Sequence, residues 1–144
     1  MSTPTPGRAR LTAAAQQLRH ASLATYLSTV TLVWGLWLLL PFRSLNTPGW
    51  AALTELGITE WQLGLAMTAI GCFKIGAILH GGFRWRRTAA MTSAIAWGFV
   101  AAMVIRANPS GTGVAIYSMM AVGVGVDYLW LQYARHLQES RGRV

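Results

Sequence analysis

The chain has 144 residues, about one domain's length, but 53% are hydrophobic and only 11% charged, and its mean hydropathy of +0.40 excludes an ordinary water-facing surface. The net charge of +8 does not point to nucleic acid: the twelve Lys and Arg residues lie mostly in short segments outside the apolar blocks, and none alternates with aromatics in a polar stretch. The single cysteine, Cys72, excludes an intramolecular disulfide and a cysteine metal cage, and reads as a small packing residue within an apolar block.

Residues 1–7 are Met followed by Ser, Thr, Pro and Gly, a composition without a stable fold of its own. Over residues 8–22, Leu11, Ala14, Ala15 and Leu18 recur at spacings of three and four while Arg8, Gln16, Arg19 and His20 fall elsewhere. This predicts a weakly amphipathic helix, suited either to a membrane surface with anionic head groups or to a solvated extension of the next helix. A first span over about residues 23–42 holds no charge and is closed by Pro41 and Arg43. At 1.5 Å per residue it matches a hydrocarbon layer of about 30 Å. It is too long for a secretory signal, and no small-residue cleavage pattern follows Phe42. Its hydroxyls, Thr25, Ser28, Thr29 and Thr31, can bond back to the helix or across to a neighbour.

Within residues 44–59, Thr47 and Pro48 give an N-cap and a first-turn proline, and Gly57 a stop. Trp50, Leu53 and Leu56 share one face, so a short helix flat at the outer interface is expected. Thr59 and Gln62 have capping-box spacing and open a second span over about 62–82. Arg84, Trp85, Arg86 and Arg87 read as a basic turn and as cytoplasmic anchors, which makes the second span and a third over about 88–106 an antiparallel hairpin. Asn108, Pro109, Ser110 and Gly111 break the helix, and a fourth span over about 113–133 leads to a basic tail, 135–144. The expected fold is therefore all-α: a polytopic four-transmembrane-helix bundle (23–134) with an N-terminal amphipathic helix (1–22) and a short interfacial helix. Nine arginines (Arg8, Arg10, Arg19, Arg84, Arg86, Arg87, Arg135, Arg141, Arg143) fall on one side against Arg43 and Arg106 on the other. That bias places both termini in the cytoplasm.

Two ionisable residues lie inside spans, each costing about 2.5 to 3.5 kcal/mol near the bilayer centre on insertion scales. They are Lys74 in the second span and Asp127 in the fourth. Lys74 is eight residues before Gly82 and Asp127 six before Tyr133, or roughly 12 Å and 9 Å along their helices. An intramembrane Lys74–Asp127 pair follows, within one subunit or between neighbours. The alternative is that Lys74 snorkels to the head groups while Asp127 meets water or a tyrosine hydroxyl. Gly71 and Gly123 lie on the charged faces and permit close helix approach, and Ala90, Ala94, Gly98 and Ala102 make a small-residue stripe for a helix of the same or another subunit. His20, His80 and His136 lack ligand spacing, no nucleophile has a readable partner base, and no phosphate loop is present, so no metal, no cofactor and no enzyme chemistry are expected.

The runs Trp34 to Phe42 (WGLWLLLPF), Glu60 to Gly64 (EWQLG) and Asn108 to Gly113 (NPSGTG), with Tyr117 after them, resemble those of small four-span membrane proteins of tailed bacteriophages, some of them described as holins. The likeness covers most of residues 30–130 and rests on span ends and turns. It implies a homo-oligomer in the bacterial host inner membrane that self-associates and opens a lesion for lytic enzymes, and it carries over no catalytic residue. Lys74 is unusual for such a second span. Two other functions stay open: a membrane interaction protein, as in superinfection exclusion or as an accessory subunit, and a small transporter or channel lined by Lys74 and Asp127.

Overall fold

The computed structural model describes residues 23–41 and 47–141. The helix expected over residues 8–22 and residue Phe42 lie outside the described residues, but the first span, expected to run to Phe42, ends as a helix at Leu38, where the amides of Leu39 and Leu40 turn back onto the carbonyls of Leu36 and Trp37 ahead of Pro41. Five α-helices follow in order: α1 (Leu23–Leu38), α2 (Ala51–Glu55), α3 (Glu60–His80), α4 (Phe83–Ala107) and α5 (Thr112–Arg141), with a 3-10 turn, Pro48–Trp50, leading into α2. There is no strand among the described residues. Among the described residues three helices are long and apolar enough to cross a membrane: α3, α4, and α5 over Thr112–Leu137; α1 is a shorter apolar helix.

Helix boundaries follow local chemistry. Thr59 Oγ1 accepts from Gln62 N (3.3 Å) and Gln62 Oε1 accepts from Thr59 N (3.0 Å), so a reciprocal pair satisfies two amides at the start of α3. That helix ends because Gly81 sits at φ 74°, a left-handed conformation costly for other residues, with its N–H shared between the carbonyls of Ala77 and Ile78. Gly82 is extended and caps α4, so two glycines make the whole reversal. The basic turn expected at Arg84, Trp85, Arg86 and Arg87 is instead the first turn of α4. Charge marks where water begins, not where a helix stops, and exposed arginines are compatible with a helical backbone. Likewise the tail expected from Arg135 onward is helical to Arg141, and Arg135 Nε donates to Glu139 Oε1 at 2.6 Å one turn on.

The turn at Asn108 is present. Its N–H closes onto Val104 O at 2.9 Å and its carbonyl accepts from Gly111 N at 3.1 Å. The segment before α3 differs in detail from the expected three-residue face. Leu53 is fully buried and Trp50 half-buried, but Leu56, at the end of α2, is exposed.

Helix α4 packs along both α3 and α5, and α2 and the 3-10 turn rest on it. Alongside, α1 runs antiparallel to α3, its Leu32 backbone meeting Gly71 and its Gly35 carbonyl Gly64, and it reaches α5 where Leu27 meets Gly123. Outward-facing positions are large and apolar, Leu79 at 82% exposed and Met119 at 75% among them, while Lys74, Asp127, Ser28 and Ser93 are buried. This distribution is the reverse of a water-soluble protein's and leaves an apolar belt around the molecule.

Candidate functional site

The interior of the bundle is built in two layers, one aromatic and one charged. Toward the Asn108 end, Trp34 of α1, Trp50, Trp97 of α4 and Tyr117 of α5 form a contiguous cluster, with ring centroids 5.0 Å apart for Trp34 and Trp97 and 5.1 Å for Trp50 and Tyr117. Trp97 is 1% exposed, so its indole N–H requires a partner. It donates to Thr31 Oγ1 at 2.9 Å, and Thr31 donates in turn to Leu27 O one turn back at 2.7 Å. The sequence does not reveal this cluster, because nothing in the spacing of residues 34, 50, 97 and 117 places them together.

One turn beyond Trp97 and Thr31, toward the arginine-rich end, the interior becomes polar. Ser93 on α4 and Ser28 on α1 are wholly buried. Ser28 Oγ donates to Ala24 O at 2.6 Å, whereas Ser93 Oγ has no hydrogen-bond partner among the described residues. Lys74 on α3 and Asp127 on α5 meet in the bundle interior, Nζ 3.0 Å from Oδ2, with side chains 3% and 5% exposed. The two atoms are in ionic contact, but the approach angle is not that of a hydrogen bond, and Nζ has no other partner among the described residues. Among the described residues the ammonium is thus held by the carboxylate alone.

The glycines and alanines fall into two groups. Gly71, one turn before Lys74, lies against α1 rather than α5: a Cβ there would come 2.7 Å from Leu32 Cα. Gly35 and Gly64 extend this α1–α3 crossing and were missed in the sequence, where they look like isolated helical glycines. Gly123 faces Leu27 across a contact with room for a methyl group. The expected stripe on α4 does not act as one surface. Ala90 is buried and Ala94 half-buried, but Gly98 and Ala102 are exposed, and nothing lies near a Cβ built at Gly98. A repeat of four advances 400° on a helix of 100° per residue, so the stripe turns about 40° at each step and leaves the packed face. The face that packs follows Ala90, Ser93, Trp97, Val100 and Val104, which alternates threes and fours.

At the other end of α4, Arg84 and Arg87 are exposed and Arg86 half-buried. Among the described residues no group of three or more His, Cys, Asp or Glu side chains converges as a metal site would require. The site these residues define is therefore a buried ion pair under an aromatic cluster, in a helical bundle with an apolar exterior. Comparison of the chain with protein-family models, with curated proteins and with solved structures yields no match.

Proposed function

We propose that this chain is an integral membrane protein of four spans, α1 included, with both ends and the Gly81 turn in the cytoplasm, which associates with its own copies in a bacterial inner membrane and opens it in the manner of a holin. The apolar belt supports lipid as the solvent, and the arginine bias supports the orientation.

The observation that carries the reading is the sealed Lys74–Asp127 pair. A bundle serving only as a scaffold has no use for it, since well-packed apolar residues in place of a buried ion pair leave stability unchanged or improve it by about 1 to 4 kcal/mol. The charges have a use in a second state, in which helices of several copies part and the two side chains line water. The closed bundle then stores charge that lipid does not accept, and the open assembly solvates it.

Inducible expression in a bacterial host tests this. The expected result is abrupt growth arrest with loss of membrane potential; accumulation to high level without either effect overturns it. The same pair supports a second reading as a small channel or transporter, whose path the ammonium and carboxylate would line. In that case Asp127→Asn abolishes ion or solute flux at unchanged abundance, and wild-type flux proceeds without arrest of growth.

A further inference from the structure

Beside the α4–α5 pair, at its arginine-rich end, lies a cleft of about 320 Å³ lined by Phe83, Arg84, Arg87, Thr88 and Met91 of α4 and by Arg135 of α5. Its size falls within the range of about 300 to 1,000 Å³ common for small-ligand sites. Arg135 is fixed in place, its guanidinium carbon 5.5 Å above the Phe83 ring and its Nε on Glu139. Arg84 and Arg87 are exposed and have no acidic partner among the described residues, so three guanidinium groups face the single carboxylate of Glu139. The lining also includes Phe83 and Met91, and Met91 opens onto the apolar outer face that continues at Ile95.

We propose that this cleft binds the head group of an anionic phospholipid, a site that rests on the membrane reading above. The phosphodiester lies on the guanidinium forks of Arg84, Arg87 and Arg135, whose planar paired donors match phosphate oxygens. The first turn of α4 adds its positive dipole end. The glycerol and upper acyl carbons run along Phe83 and Met91. Charge complementarity selects an anion, and the apolar wall selects one with a hydrocarbon continuation, which free phosphate lacks.

Native mass spectrometry of the full chain released from detergent, with phosphatidylglycerol or phosphatidylcholine added, tests the site. Phosphatidylglycerol is expected to stay bound and phosphatidylcholine not. The double variant Arg84→Gln/Arg87→Gln and the single variant Arg135→Gln should each weaken phosphatidylglycerol binding at least tenfold, while Arg86→Gln, whose side chain does not line the cleft, keeps it. Far-UV circular dichroism of each variant checks its fold, and Arg84→Lys/Arg87→Lys should restore part of the binding. Unchanged binding in the glutamine variants, equal retention of the two lipids, or displacement by millimolar inorganic phosphate overturns the site. Failure of the membrane reading shows separately, as a chain that stays monodisperse in buffer without detergent.

Discussion

Removing one member of the Lys74–Asp127 pair should cost far more than removing both. At 3.0 Å and an effective dielectric of 20, the attraction between the two charges is about 5.5 kcal/mol. Taking each ion out of water opposes this by several kcal/mol, so the intact pair contributes little net stability. Its loss by halves is different. Asp127→Asn leaves an ammonium that is 3% exposed with no other partner among the described residues, and Lys74→Met leaves a carboxylate that is 5% exposed. Each single variant should therefore lose about 3 kcal/mol, near the lower end of the range of about 3 to 5 kcal/mol for orphaned buried charges. The double variant Lys74→Met/Asp127→Asn should lie within about 1 kcal/mol of the parent, because no charge is left to solvate. Titration with dodecyl sulfate in mixed micelles, followed by far-UV circular dichroism, measures all four proteins. If Asp127→Asn alone is as damaging as the double change, nothing is recovered by removing the second charge and the reasoning fails.

Three further outcomes are expected. Gly71→Ala should destabilise by about 2 kcal/mol in the same titration, since its methyl group meets the Leu32 backbone, whereas Gly98→Ala should leave stability unchanged or raise it by up to about 1 kcal/mol; the opposite order would contradict the α1–α3 crossing. Thr31→Val keeps the shape but removes the acceptor of the Trp97 indole, costing about 1 to 2 kcal/mol and shifting the tryptophan emission. In a Cys72→Ser background, Ser110→Cys should react with an impermeant maleimide added outside intact cells and Arg86→Cys only after lysis; labelling of both from one side refutes the orientation.

Much of the helical plan was legible in the sequence because its signals are local. The Thr59–Gln62 capping box, the proline after Thr47, the glycine stop at Gly57 and the turn at Asn108 each depend on a few neighbouring residues, and each has the expected backbone geometry. The long apolar blocks announced α3, α4 and α5 in the same way. Polar ends were harder, since arginine tolerates both helix and turn, which is why the start of α4 and the end of α5 extend past the expected limits. Lys74 and Asp127 could be brought together from the sequence because only two charges lay inside spans, at similar depth. The packing around them could not: the direction in which Gly71 faces, the drift of the α4 stripe and the assembly of Trp34, Trp50, Trp97 and Tyr117 all depend on how helices rotate against one another, and no local pattern encodes that rotation.

The unequal lengths of the connections give the bundle an order of separation. Two glycines join α3 to α4 and a four-residue turn joins α4 to α5, so these three helices are tethered too tightly to slide apart by more than a turn. By contrast α1 is joined to α3 through the longer stretch of residues 39–59, part of which rests on α4, and the two helices approach closely through glycines on both, Gly35 on α1 and Gly64 and Gly71 on α3. Of the four helices α1, α3, α4 and α5, α1 has the longest connection to the next. An opening of the bundle of the kind proposed above would therefore begin at α1, whose departure uncovers the face of α3 that carries Gly64 and Gly71.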